Sequence, residues 1–209
     1  MTRAPEPGFT TFDTLTTQSP DAARELAEAL ITEAATRLRH SPGFLSSRVH
    51  VGDDRRTVIH RGLWRDAADH HAAADRLKEL ADRPGVQTAK TFAGTPAPGL
   101  HGPRTGVLPG RVAVATRHLR DPESYPALMD LLNRSGDWKR HHRGFITATP
   151  HISPDQLTFV NYATWEDEDS YRAWMADPRI SEGQEEIARL EAAPAEYVLC
   201  AVVADIRAA

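Results

Sequence analysis

Residues 43–64 read GFLSSRVHVGDDRRTVIHRGLW, and residues 144–165 read GFITATPHISPDQLTFVNYATW. The two stretches align without a gap at an offset of 101 residues. Gly43 matches Gly144, Phe44 matches Phe145, His50 matches His151 and Trp64 matches Trp165. In each copy the glycine and the tryptophan stand 21 residues apart. Residues shared at fixed spacing mark an internal duplication, and such a repeat governs the fold before local propensity does. Each stretch also divides into two strand-like runs about a turn. The runs are Phe44–Gly52 and Thr57–Trp64 around Asp53-Asp54, and Phe145–Ile152 and Leu157–Trp165 around Ser153-Pro154-Asp155. Apolar, β-branched runs joined by such turn residues predict a β-hairpin in each copy.

The flanking sequence repeats as well. Ser19-Pro20-Asp21 and Asp121-Pro122-Glu123 each present an N-cap residue, a proline for the first helical position and an acid for the first turn. Leu26, Leu30, Ala34 and Leu38 then recur every four residues, and Tyr125, Leu128, Met129 and Leu132 carry the same stripe over a shorter span. A strand-like run precedes each helix, Phe9–Thr17 and Arg111–Leu119. A second helix comes after each hairpin, from about Ala67 and about Asp167, and Tyr197–Ile206 closes the second copy as a β-branched strand. Each copy therefore reads β-α-β-β-α-β, the ferredoxin-like pattern. In the first copy the closing strand is either Gln87–Phe92 or missing, because Pro96, Pro98 and Pro103 interrupt the matching positions.

The expected architecture is α+β. Residues 1–92 form the first ferredoxin-like unit and residues 111–209 the second. Residues 93–110, with nine Gly or Pro in 18 positions, form the linker. Helices cover one face of a four-stranded sheet, so the other face needs a partner. The duplicate supplies it, giving two sheets face to face as a dimer within one chain. Fusion removes the need for dimerisation but does not forbid a further homodimer.

Composition limits the function. At 209 residues the chain can bury its own core without disulfides or metal. Net charge −4 offers no concentrated basic face for nucleic acid. No apolar run approaches the ~18–20 residues of a membrane span. Met1 to Phe9 lack the apolar stretch of a secretory leader, and the lone Cys200 forbids an intrachain disulfide, so a cytoplasmic setting is expected. Arginine outnumbers lysine 22 to 3, a bias that fits a high-GC coding genome better than any function. No phosphate-binding loop, dinucleotide fingerprint, His-Glu-x-x-His or Cys pair occurs, so no metal is assigned despite ten histidines. The run Lys139 to Arg143 reads as a solvated basic loop, and Cys200 as a small buried hydrophobe.

The residues with chemistry lie on the second hairpin and on the helix after it. Asn161, Ala163 and Trp165 alternate along a strand and so face one way. An amide and an indole N–H on one face are donors suited to an enolate or peroxide oxygen. Tyr171, early on the next helix, can return its hydroxyl over the same place. In the first copy His60 stands for Asn161 and His70 for Tyr171, while Trp64 is kept. The imidazoles could supply a base and a proton relay. Taken as ordinary structure, Trp165 and the Tyr171/Trp174 pair would be core, and His151 a surface residue beside a turn.

The string from Gly144 to Ile152, the run Asn161-Tyr162-Ala163-Thr164-Trp165-Glu166, and Tyr171-Arg172 with Asp177-Pro178-Arg179 resemble the antibiotic biosynthesis monooxygenase family. They are most similar to its small cofactor-independent, quinone-forming members. The resemblance covers about 110 to 205. It extends more weakly to the first copy, through Pro42-Gly43-Phe44-Leu45-Ser46 and His50. It implies a dimeric α+β barrel and oxidation of an aromatic polyketide phenol or anthrone to a quinone by O2, without flavin, haem or metal. It implies catalytic roles for Asn161, Trp165 and Tyr171. His151, His50, His60, Trp64 and His70 fall where substrate would be bound. The family's site arginine is not matched, and Gln184 stands nearest its position. The second copy is favoured as the active one. A non-oxidative polyketide cyclase or isomerase, or a polyketide-binding protein without turnover, would use the same residues differently.

Overall fold

A computed structural model describes residues 8–209 of the chain. The reading of Met1 to Phe9 thus concerns residues that, up to Pro7, lie outside those described. The contacts divide the chain into two units, Met1–Pro96 with Cys200–Ala209, and Ala97–Leu199.

In the first unit, β1 (Phe9–Thr17) leads into α1 (Pro20–Thr36), β2 (Phe44–Gly52) and β3 (Thr57–Trp64). Then come α2 (Ala67–His71), α3 (Ala74–Ala81) and β4 (Val86–Pro96). The strands are antiparallel, in the order β4-β1-β3-β2. The expected cap forms, with Ser19 Oγ accepting from the Ala22 amide at 3.2 Å. The four-residue stripe of α1 and the turn after it, Leu26, Leu30, Ala34 and Leu38, is buried. It packs with Phe9, Leu15, Phe44, Val49, Val58 and Trp64 on the sheet. The closing strand that the prolines put in question is present and longer than expected, pairing with β1 from Val86 to Gly94. As the edge of this four-strand set it tolerates Pro96 at its end.

The second unit begins with β5 (Leu100–His101). It continues through β6 (Arg111–Leu119), α4 (Ser124–Gly136), β7 (Phe145–Ile152), β8 (Thr158–Trp165), α5 (Glu168–Met175) and α6 (Gln184–Leu190) to β9 (Glu191–Arg207). Its strand order is β9-β6-β8-β7-β5. Two expectations are corrected here. The stretch 93–110 is not a free linker, because Leu100 and His101 pair with Ala148 and Thr147 on β7, and the Ala97 amide reaches Pro150 O at 2.9 Å. The last residues of the chain do not stay with the second unit. From Cys200 to Arg207, β9 pairs with β2 and completes the first unit's sheet. Both departures have one cause, since backbone groups along a strand edge need partners and a passing extended segment supplies them.

The repeat persists in backbone detail. Arg55 and Gln156, at the same offset, hold φ of 57° and 60° in the hairpin turns. Asp66 and Asp167 cap the helices after the hairpins, accepting from the amides of Asp69 and Ser170. Gly43 and Gly144 hold φ of +67° and +78°. A β-carbon at Gly43 would stand 1.8 Å from Asp69 Oδ2, and one at Gly144 would stand 2.0 Å from Ser170 Oγ. Both positions thus need glycine for conformation and for space. Gly144→Ala should destabilise the protein by about 1–3 kcal/mol, read as a lower denaturant midpoint. An unchanged midpoint would mean that the left-handed turn is not required. Among the described residues no helix is long and apolar enough to cross a membrane.

Candidate functional site

Strand β8 organises the site in the second unit. Phe159, Asn161, Ala163 and Trp165 line one cavity, whereas Val160, Tyr162 and Thr164 take the opposite face, as strict alternation requires. The cavity has a volume of about 940 Å³, within the ~300–1,000 Å³ usual for small-molecule sites. Its sheet floor is low because the residues paired with β8 are small. Ala163 lies between Ala113 and Ala148, and Asn161 between Ala115 and Pro150. With no bulky neighbour on either strand, the Asn161 amide stands above the floor it rises from. Leu132 of α4, Tyr171 and Trp174 of α5 and Ile187 of α6 complete the wall.

The wall beside Asn161 is aromatic. The Trp165 ring lies 4.9 Å from Phe145, 5.0 Å from Trp174 and 6.0 Å, edge to face, from Tyr171. Trp138 stacks on Trp174 at 4.6 Å, and His142 approaches both Trp165 and Trp174 at 5.8 Å. Trp165 is 1% exposed, yet among the described residues its indole N–H has no hydrogen-bond partner. An unmet buried donor costs about 1–3 kcal/mol. The nitrogen itself has almost no accessible surface, while other parts of Trp165 line the cavity. The structure therefore brings Asn161, Trp165 and Tyr171 together around one space. It combines an amide, an unmet N–H and a phenol with a flat aromatic wall.

The histidines assigned to substrate binding divide. His151 is fully buried but does not line the cavity. It pairs with Val160, on the face opposite Asn161, and its Nδ1 lies 3.3 Å from Val160 O. His50 does the same in the first unit, with Nδ1 at 3.0 Å from Ile59 O. Burial holds the His50 imidazole far below its usual range, at about 3, with Arg61 and Arg48 adding to the effect against the Ile59 carbonyl. Neither histidine lines that cavity, and neither is a turn-proximal surface residue.

His60, Trp64 and His70 do come together, in the first unit. His70 lies edge to face with Trp64 at 5.5 Å. His60 is held on both sides, with Nε2 at 2.9 Å from Ser47 Oγ and Nδ1 at 3.2 Å from Asp13 Oδ2. Asp13 in turn accepts from Thr91 Oγ1 at 2.8 Å. This row crosses β4, β1, β3 and β2 on one face. The carboxylate makes Nδ1 the donor, which leaves Nε2 to accept from the serine when the ring is neutral. At the place of Asn161 the first unit thus carries an imidazole whose two nitrogens are already engaged. The two units have different polar equipment. The Trp64 N–H, like that of Trp165, has no hydrogen-bond partner among the described residues, so the unmet indole is shared. The second unit is set apart by Asn161 and Tyr171 on a large cavity.

Sequence reading missed four contributors. Lys139, taken for part of a solvated loop, lines the cavity with its ammonium 5.2 Å from the Trp174 ring centre. His142 sits against Trp165, and Trp138 extends the stack with Arg179 4.0 Å above it. The one available signal was a tryptophan inside an otherwise charged run. Cys200 is buried, as a small hydrophobe would be. Among the described residues no group of three or more His, Cys, Asp or Glu is placed to hold a metal ion.

No family model matches the chain. A curated relative, tetracenomycin-F1 monooxygenase of Streptomyces glaucescens, is 45% identical over 60 residues, 28% of this chain. The matched part is 54% of that protein, so the chain spans about half the length of the relative. Among solved structures, an anthrone oxidase-like protein superposes over 99% of this chain and 96% of its own, with a TM-score of 0.81 at 16% identity, which shows a common fold. A Streptomyces coelicolor monooxygenase from the gene ActVA-Orf6, solved with nanaomycin D, is 36% identical. It covers 44% of this chain and 87% of its own, with a TM-score of 0.41.

Proposed function

We propose that the chain, which matches part of a curated relative at 45% identity, is a member of the antibiotic biosynthesis monooxygenase family, and that it is a cofactor-independent monooxygenase that oxidises an aromatic polyketide phenol or anthrone to a quinone. The observation that carries this reading is the convergence of Asn161, Trp165 and Tyr171 on one cavity with an aromatic wall. The cytoplasm would be its place of work.

The chemistry asks little of a protein beyond positioning. Loss of a proton turns the anthrone into its enolate, which passes one electron to O2. The resulting pair combines at carbon to a hydroperoxide, and loss of water leaves the carbonyl. One O2 is consumed and one water released for each methylene converted to a carbonyl, so the substrate supplies the electrons. Asn161 and Trp165 donate hydrogen bonds to the oxygen on which negative charge gathers, where fixed donors in a water-poor site act most strongly. The Tyr171 hydroxyl carries the proton between substrate and solvent. Trp174 and Phe145 hold the flat ring system against the small-residue floor, which keeps the reacting carbon near those donors.

An oxygen electrode tests the reading with a 1,8-dihydroxyanthrone substrate. We expect O2 uptake with 1:1 formation of the anthraquinone, unchanged by chelator and by added flavin. Uptake no faster than the uncatalysed reaction, or uptake that requires flavin, would overturn it. A cyclised polyketide formed under nitrogen would instead indicate non-oxidative acid–base work in the same cavity.

A further inference from the structure

We propose that Lys139 is a specificity-determining residue that binds a carboxylate carried by the aromatic substrate in the second unit's cavity. The proposal deepens the monooxygenase reading and concerns the same site.

The cavity's lining is more apolar than polar, and its charged groups are Arg117, Arg120, Lys139, Arg179, Glu182 and Glu191. Glu182 is exposed and its charge acts on Arg179. The Arg117 guanidinium pairs with Glu191 and also donates to the Tyr197 hydroxyl at 2.9 Å. Arg179 is held by Asp177 through two contacts of 2.7 and 2.9 Å, while its guanidinium covers Trp138. Arg120 lies at an exposed position. Lys139 differs from these. It is half-buried, and among the described residues no carboxylate pairs with it; its neighbours are the face of Trp174 and the positive charge of Arg117. Burial, with Arg117 adding to it, holds its ammonium below the usual lysine range.

A ring face is a modest partner for an ammonium, whereas an anionic oxygen gives a charge-assisted hydrogen bond of about twice the usual strength. The cation is thus under-compensated in a largely apolar surround, and a ligand anion relieves that cost. The anion must already be ionised at neutral pH for the pairing to offer a full charge. A carboxylate meets that condition and an ordinary phenol, with a pKa near ~10, does not. Lys139 stands over Trp174, whose ring packs on Trp165. An aromatic ligand lying along that wall would therefore reach Lys139 with a substituent while its ring stays beside the donors.

The test is equilibrium binding of anthraquinone-2-carboxylate and of its neutral carboxamide, measured by tryptophan fluorescence or calorimetry at neutral pH. Wild type should bind the carboxylate about tenfold or more tightly than the carboxamide. Lys139→Met should abolish that preference while leaving the carboxamide constant unchanged, and Lys139→Arg should retain it. Equal affinities in wild type, no binding of the carboxylate, or a preference that survives in Lys139→Met would each overturn the proposal. Oxygen uptake by wild type with the neutral hydroxyanthrone is read separately from these binding constants. Loss of uptake in wild type would therefore refute the oxidase reading, and loss of the carboxylate preference this one.

Discussion

Asn161→Ala should lower anthrone oxidation about a hundredfold, the scale found when a single pre-organised donor to a developing oxyanion is removed. The melting temperature should stay close to wild type. Asn161 stands between Ala115 and Pro150, so its truncation removes no packing partner from the floor. The loss should appear in kcat and not in KM, because the donor matters most where charge accumulates. Trp165→Phe is the companion experiment. It keeps a ring against Phe145 and Trp174 but removes the N–H that has no partner among the described residues. Activity should fall by a similar order while stability changes by less than about 1 kcal/mol, since no intramolecular hydrogen bond is lost. If both donors serve one oxygen, the double variant should fall short of the product of the single losses. Near wild-type rates in both variants would place the chemistry elsewhere.

The trio was legible because strand alternation is a strict rule. Once β8 was placed by the repeat, Asn161, Ala163 and Trp165 had to share a face, and they line one cavity. The histidines were not legible for a related reason. His151 lies six residues beyond Phe145, which lines the cavity, and a regular strand would put both on one face. The pairing of β7 with β8 shifts register between Phe145 and Thr147, and that bulge turns every later residue over. The same shift between Phe44 and Ser46 turns His50 away from His60. Neither bulge carries a sequence mark of its own. The strand character of Tyr197–Ile206 was likewise readable, but not the edge to which it attaches, because a period of two says nothing about partners. Lys139 was hidden by composition, since a charged run reads as solvated unless the helix opposite it is known to present Trp174.

Acid should destabilise the protein earlier than its carboxylates alone would dictate, through His50. The ring is fully buried, with its Nδ1 3.0 Å from the Ile59 carbonyl, and it is held at about 3 in the native state, against about 6.5 in an unfolded chain. Above pH 6.5 the ring is neutral in both states and the full native stability is present. Below that, the unfolded chain takes up a proton at this site that the native chain refuses, so stability falls as pH drops from about 6.5 towards 3. At pH 5 the loss is about 2 kcal/mol from this group, measured as the shift of the denaturant midpoint between pH 7 and pH 5. His50→Asn keeps an N–H near the Nδ1 position and removes the titration. It should start lower at pH 7 and lose about 2 kcal/mol less than wild type over the same interval. Equal losses in both proteins would show that His50 titrates normally. The same depression bears on catalysis. A base as weak as His50 has little capacity to take a phenolic proton near neutral pH, where an effective general base titrates close to the working pH. Burial thus fixes His50 as a structural, neutral imidazole and leaves proton transfer to groups that border the cavity, Tyr171 among them.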